Sequence, residues 1–475
     1  MVFSSLSFLF VFLPILAIAY FIIPSEWKNA RQYVLLVFSL IFYGAGEPLY
    51  IFLIVTCIVL SWILSKRINN QCMWALVLSI LINVTPLIVT KYAGFIVGNI
   101  NRVILSGGGQ TFVPVPSIIM PIGISFYTFQ VITYIVDLYK KRIERQKNPL
   151  LFALYIMFFP QLIAGPIVKY SEVCKELENP DVSWDNVKYG LGRFIVGLGK
   201  KVLIANQVGY IASTIFDSGI NSLSTGMTWL CVIAYTIQIY FDFSGYSEMA
   251  IGLGAIFGFH FPENFKDPYT SMSIKDFWRR WHITLGRFFR EYVYIPLGGN
   301  RVSKFRWIIN IFIVWALTGL WHGASWNFVI WGLYYGILIV IERITGIDKI
   351  LPKTIRWFLT LFLVTIGWGI FMCDTTGIHG MVQFLAKLFF VNGTVDNPVS
   401  IGSLKLWGYI PFLVIGFLVS TPLWTSVIRV RILEFKKKHN AIMGVVSDCC
   451  LIAILVISIM FLIGGTYNPF IYFRF

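Results

Sequence analysis

Two histidines carry the chemical interest of this chain. His322 lies between two apolar runs within 307–341, WIINIFIVWALTGLWHGASWNFVIWGLYYGILIVI, a stretch that holds no Asp, Glu, Lys or Arg. An ionisable side chain surrounded by hydrocarbon is costly and ordinarily faces a cavity where it does chemistry or transport. His282 sits upstream in a very different text, SIKDFWRRWHITLGRFFREYVYIPLGGNR. General-base chemistry needs a base near the group that loses its proton and polar groups for the charge that develops. A neutral imidazole in an apolar wall is a competent base near pH 7, and His322 is placed for that role. Ser325 and Asn327 follow within five residues and offer hydrogen bonds to the reaction, or equally to the start of the next helix. Trp321, beside the histidine, joins them as a candidate substrate contact.

A second cluster is basic and aromatic. Arg279, Arg280, Arg287 and Arg290 recur at spacings that place them within adjacent turns of a helix, interleaved with Trp278, Trp281, Phe288, Phe289 and Tyr292. One reading is a helix in the headgroup layer with its arginines on lipid phosphates. The sharper one is a re-entrant helix lining a funnel from the cytoplasm. Its arginines would hold a phosphorylated or otherwise anionic donor, and His282 would line the route to His322. The run Pro296-Leu297-Gly298-Gly299-Asn300 offers the turn.

A third polar island interrupts apolar text at 241–248. Asp242 and Tyr246 are i,i+4 neighbours, as are Ser244 and Glu248, so two stacked pairs face the interior. They read either as an interhelical clamp or as lining for the cavity of the histidines. The glycines of GLGRFIVGLGKK (190–201) lack phosphate-loop spacing and read as small-residue helix packing that ends in interfacial lysines.

These features need elements to position them. Hydrophobic residues make up 57% of the chain and charged ones 13%, about half the charged share of a soluble domain. Continuous apolar runs of about 20 residues span hydrocarbon as helices. The fold is therefore all-α, a polytopic helical membrane protein. The net charge of +16 comes from short loops between spans and the central basic segment; with no matching motif, nucleic acid is excluded as a partner and membrane lipid is the expected surroundings. Seven scattered cysteines form no CxxC or Cys/His spacing, so no metal is expected.

The apolar N-terminal run has no basic start, its first charged residue being Glu26, and it continues to Ile23; it reads as an uncleaved first span. Lys28, Arg31, Lys66 and Arg67 put the loops after spans one and three in the cytoplasm and the N-terminus outside. A span over 119–138 then leaves 91–118, with Gly107-Gly108-Gly109 and Pro116, as an external or re-entrant segment. Further spans or half-spans fall at 149–168, 189–215, 226–259, 307–320, 324–341, 355–372, 404–423 and 446–464, about eleven crossings in all. The segment 170–188 is an amphipathic connector, and 260–306 is too charged to cross lipid unaided. The segment 373–403 holds a short interfacial helix and an exposed loop at Asn392-Gly393-Thr394. There is no repeat and no soluble domain: 1–475 is one integral membrane domain with a catalytic core at 226–341.

Four texts make the chain recognisable: FFPQLIAGPIVKY (158–170), YFDFSGYSEMAIGLGAIFGF (240–259), FWRRWHITLGRFFREYVYIPLGGNR (277–301) and GLWHGASWNFVIWGLYYG (319–336). In this order they resemble the membrane-bound O-acyltransferase family, in its alginate O-acetylation branch, over nearly the whole length. The resemblance implies a ring of spans around re-entrant helices with a central tunnel. It implies that His322 is catalytic, with His282 as the upstream histidine of the pair. It also implies an acetyl donor such as acetyl-coenzyme A, no tightly bound cofactor, a polysaccharide acceptor, and a separate extracytoplasmic acetyltransferase of the SGNH-hydrolase type. The candidate substrate contacts are Arg279, Arg280, Arg287, Arg290, Asp242, Ser244, Tyr246, Glu248, Trp321 and Asn327. Expected placement is the bacterial cytoplasmic membrane.

Two rival readings stand beside it. The branch that transfers D-alanyl groups to teichoic acid shares the RRWH and WHG elements, whereas YIPLGGNR points to acetylation. A transporter would also place charged groups in broken helices, but no paired halves with matching interruptions occur here.

Overall fold

The computed structural model describes residues 2–108, 113–389, 395, 398–429, 440–465, 467 and 468, and every regular element among them is a helix. The chain forms two compact units, Met1–Leu191 with Ala250–Pro262, and Gly192–Met249 with Glu263–Phe475.

The first unit opens with α1 (Phe8–Phe21), α2 (Lys28–Gly44) and α3 (Tyr50–Asn69). α4 is longer than expected, running unbroken from Met73 to Ser106. Pro86 lies inside it, and a π turn at Ile88–Tyr92 takes up the register change. Local π adjustment lets a helix pass a proline where an ordinary helix would stop. Of the segment 91–118, the first sixteen residues continue this helix, which ends at Gly107 and Gly108, the latter with φ +77°. Gly109 lies outside the described residues.

α5 (Ile124–Tyr139) starts at Gly123, whose left-handed φ of 76° suits glycine. A β-carbon there would stand 2.6 Å from the Leu162 carbonyl oxygen. Nearly every α5 side chain is buried, so it is the central helix of this unit. The expected continuous span over 149–168 is not formed. α6 (Pro149–Met157) stops at Phe158, whose ψ of 114° is non-helical, and a single turn, Phe159–Leu162, follows. Pro160 and then Gly165-Pro166 deny the backbone a longer helix. This irregular stretch is buried in protein, which is where such backbone is tolerated at membrane depth. The Gln161 side chain donates to the Tyr155 carbonyl and the Tyr155 hydroxyl to the Val168 carbonyl, meeting acceptors that a helix would have used. Of the connector 170–188, the first half is an amphipathic helix: α7 (Tyr170–Glu178) buries Tyr170, Val173 and Leu177 and turns its charges outward.

α8 (Trp184–Gly199) leads through a π turn, Lys200–Ala205, into α9 (Asn206–Asp217). α10 (Thr225–Ile256) follows; its residues 225–249 belong to the second unit. The second unit continues with two seven-residue helices, α11 (Ile274–Arg280) and α12 (Ile283–Phe289). Then come α13 (Lys304–His322), α14 (Trp326–Thr345), α15 (Lys353–Met372), α16 (Gly377–Leu388), α17 (Trp407–Ser420) and α18 (Asn440–Gly464). By length and composition, six helices among the described residues can cross a membrane, in α3, α4, α13, α14, α15 and α18, and α1 and α17 are shorter apolar helices. The loop at Asn392-Gly393-Thr394 lies outside the described residues.

Small residues set the helix approaches in the second unit. Gly197 and Gly245 bring α8 against α10: a β-carbon on either would come within 3 Å of the other's carbonyl oxygen. The approach of α13 to α14 is closer. A β-carbon at Gly319 would lie 2.1 Å from the Phe328 carbonyl oxygen, and one at Gly332 2.1 Å from that of Trp315. Both obstacles are backbone and cannot rotate away. Overpacking of this kind costs about 1–3 kcal/mol. Gly319→Ala and Gly332→Ala are therefore expected to lower the thermal midpoint of the purified chain and its yield in membranes. Glycines without close neighbours, such as Gly408, serve as the control and should accept alanine without loss.

Candidate active site

α13 ends at His322 because the next residue, Gly323, turns fully extended, with φ −170° and ψ 155°. Gly323 also has no room for a side chain, since a β-carbon would strike the Phe328 ring at 2.1 Å. The His322 side chain is 3% exposed. Its imidazole packs edge-on against Trp321, Trp331 and Phe371, with ring centroids 4.9, 5.0 and 5.2 Å away.

His282 is 1% exposed and occupies the break between α11 and α12. Its backbone is left-handed, φ 44° and ψ 54°, a conformation costing of order 1–3 kcal/mol for a non-glycine residue unless its surroundings hold it. Asn264 does so. Its main-chain oxygen accepts the Ile283 amide at 3.0 Å, and its side-chain Oδ1 accepts the Thr284 amide at 3.3 Å. These are amides that a new helix start leaves without intrahelical partners. His282 Nδ1 lies 3.1 Å from the same Oδ1, and the ring packs on Phe243 at 4.7 Å and Trp321 at 5.7 Å. Burial pushes the His282 imidazole well below its ordinary pKa, so it is neutral at physiological pH. Trp321 therefore contacts both imidazoles, and the structure brings the two predicted histidines to one place.

The arginines are not on one helix, which corrects the expected pattern. Arg279 and Arg280 close α11, while Arg287 is in α12 and Arg290 follows it, across the Trp281-His282 break. The spacing resembles continuous helix, but the acceptors of Asn264 start a second one. Arg280 pairs with Asp276 at 3.0 Å and is half-buried, as is Arg287; Arg279 and Arg290 are exposed. The start of α11 is tied down by Ser273, which accepts the Asp276 amide, and by Glu342 of α14, whose carboxylate accepts the Ile274 amide at 2.7 Å and the Lys275 amide at 3.3 Å.

The polar island mostly serves as a clamp. Asp242 pairs with Lys201 at 2.6 Å, both side chains being 2% exposed. Glu248 pairs with Lys200 and, at 3.6 Å, with Arg193, which also holds Glu263 at 2.7 Å. The expected interfacial lysines are corrected accordingly: Lys201 is buried, where a carboxylate opposite it offsets the desolvation. Tyr246 and Ser244 are buried, and the Ser244 hydroxyl has no hydrogen-bond partner among the described residues. The island does reach His282, but through Phe243 and through Ser247, whose hydroxyl accepts from Asn264 Nδ2 at 3.2 Å. Asn327 Nδ2 donates to the carbonyls of Cys373 and, at 3.3 Å, Gly377, fixing the start of α14 to the turn before α16. The Ser325 hydroxyl has no such partner among the described residues.

Three residues that the sequence reading does not single out hold these elements: Asn264, Ser247 and Glu342. Glu342 carried a signal, as a carboxylate at the very end of an apolar span. Asn264 carried none, because an asparagine between Glu263 and Phe265 reads as ordinary loop.

Comparison with known proteins bears on the same region. The model of the MBOAT, membrane-bound O-acyltransferase family matches residues 139–375, which include every candidate residue above. A protein of Azotobacter vinelandii named "Probable alginate O-acetylase AlgI" is 39% identical over 86% of this chain and 82% of its own length. A peptidoglycan O-acetyltransferase of Helicobacter pylori is 32% identical over 100% of this chain and 98% of its own. A teichoic acid D-alanyltransferase of Bacillus subtilis is 31% identical over 53% of this chain and 67% of its own.

The Lys201–Asp242 pair can be separated from the chemistry. Removing one member of a buried pair strands the other charge and costs about 3–5 kcal/mol, whereas replacing both with apolar groups is often neutral. Lys201→Met should lower the thermal midpoint and the yield of folded chain, and Lys201→Met with Asp242→Leu should restore both together with activity. A double variant that folds normally yet is inactive would instead put Asp242 in the reaction path.

Proposed function

The chain belongs to the membrane-bound O-acyltransferase family, and we propose that it moves acetyl groups from acetyl-coenzyme A in the cytoplasm to a polysaccharide of the cell envelope. The carrying observation is the pair of buried imidazoles sharing Trp321 within a multi-pass helical chain. Residues 226–341 form the catalytic core. The match across the whole length of a protein named as a peptidoglycan O-acetyltransferase, and the high identity to proteins named as alginate O-acetylases, support O-acetylation of a polysaccharide. D-alanyl transfer to teichoic acid is the weaker reading, because that relative matches only 53% of the chain.

In this reading His322 takes the proton of the acceptor hydroxyl as its oxygen bonds to the acetyl carbonyl carbon. The carbon–sulfur bond then breaks, and the proton passes to the departing thiolate, so no charge is left in the apolar site. His282, neutral and fixed, is the second imidazole beside the reacting groups. Arg279, Arg280, Arg287 and Arg290 hold the donor's phosphates, for which guanidinium forks are suited; the exposure of Arg279 and Arg290 supports this. The protein works in the bacterial cytoplasmic membrane with its N-terminus outside, and a separate SGNH-hydrolase-type protein completes delivery to the polymer.

The test is envelope ester content in cells whose only copy carries a substitution at His322. A general base contributes about 10²–10⁴-fold, so His322→Ala should bring acetyl ester to background while membrane abundance of the protein stays normal, and His282→Ala should be severely impaired. His322→Gln should be as inactive as His322→Ala, whereas a mere conduit would tolerate it. Near-normal ester in the alanine variant would remove His322 from the mechanism.

A further inference from the structure

Asn264 does more than start a helix. It is 0% exposed, and each atom of its amide has an assigned partner. Oδ1 accepts from the Thr284 amide at 3.3 Å and the Thr284 hydroxyl at 3.0 Å and faces His282 Nδ1 at 3.1 Å, while Nδ2 donates to the Ser247 hydroxyl at 3.2 Å. Oxygen and nitrogen of an asparagine amide are ordinarily told apart only through their neighbours. Here the neighbour decides. A backbone N–H can only donate, so the amide atom facing Thr284 N must be the oxygen. The same oxygen faces Nδ1, so Nδ1 must carry the hydrogen, and the lone pair of the neutral ring is then on Nε2. Nε2 is buried and has no hydrogen-bond partner among the described residues. The rings of Phe243, Phe265 and Trp321 surround this imidazole at 4.7, 6.5 and 5.7 Å. An unsatisfied buried acceptor is costly, about 1–3 kcal/mol, and its retention calls for a function.

We infer that Asn264 is a positioning residue that holds His282 in its Nδ1–H tautomer, leaving Nε2 as the nitrogen that accepts a hydrogen bond or proton during acyl transfer. The inference rests on the proposed role of His282 and deepens it. The same amide holds the left-handed turn at His282, so ring orientation and tautomer are set by one side chain.

The full-length chain, purified in lipid nanodiscs with nitrogen-15 in its five histidines, allows the tautomer to be read from the imidazole nitrogen resonances. His282→Gln assigns the signals by difference. In the unsubstituted protein His282 should show a protonated Nδ1 and a bare Nε2. A protonated Nε2 would overturn the inference, and this reading needs no Asn264 variant to fold. Asn264→Asp, which keeps the acceptor oxygen, should keep Nδ1 protonated. Asn264→Leu should lose the fixed tautomer and at least about tenfold of the acetyl transfer, less than the roughly 10²–10⁴-fold that a positioned base contributes. In a His282→Gln background the leucine substitution should cost little more. An equal loss there would mark Asn264 as a helix start only and overturn its proposed role. Full acetyl transfer by His282→Gln would instead overturn the functional reading of His282, while the nitrogen spectrum would still decide the tautomer.

Discussion

The approach of α13 to α14 at Gly319 and Gly332, too close for one added methyl group on either side, is the constraint on which the site depends. Two helices that meet this closely must turn within the three residues 323–325 that join them. That turn is what ends α13 at His322 and presses the imidazole against Trp331 of the returning helix and Phe371 of α15. A larger residue at either glycine would separate the axes and open the wall around the ring. In hydrocarbon no hydrophobic effect drives helices together, and backbone contact through small residues supplies the packing that does.

Polar residues do the rest of the positioning, each through a partner. Asn264 supplies three kinds of contact, to the backbone of α12, to His282 and to Ser247 of α10. Glu342 reaches from α14 to the first amides of α11 and so ties the helix that ends in Arg279 and Arg280 to the helix that follows His322. Lys201 and Asp242 join the π turn after α8 to α10. In each case the buried charge or amide spans two elements, so the polar network fixes their register while the aromatic rings fill the space between.

The candidate residues are more legible in the sequence than the backbone that carries them. His322 stood out because a charge-free stretch makes one ionisable residue conspicuous, and the spans flanking it were read nearly to their ends, 307–320 and 324–341 against Lys304–His322 and Trp326–Thr345. Hydropathy and periodicity describe continuous helices well and their interruptions badly. At Pro86 a proline that should end a helix is absorbed by a π turn. At Phe158 a run apolar enough to cross the membrane breaks ahead of Pro160 and Gly165-Pro166, and the break is tolerated because it is buried in protein, where carbonyls find side-chain donors. The arginines fit one helix by spacing, yet Asn264, some eighteen residues from His282, divides it in two. Long-range partners of this kind leave no local pattern. The same reason hid the burial of Lys201, since a lysine at the end of an apolar stretch reads as interfacial until its carboxylate is found.

In the proposed function this chain passes an acetyl group between compartments through the site at His322. Sealed proteoliposomes containing the purified full-length chain test it most directly, with radiolabelled acetyl-coenzyme A on one side and, on the other, envelope polymer and envelope extract from cells lacking the chain. Labelled ester is expected on the polymer with the unsubstituted protein and none with His322→Ala. Equal labelling with His322→Ala, or labelling only when donor and polymer share a compartment, would contradict it.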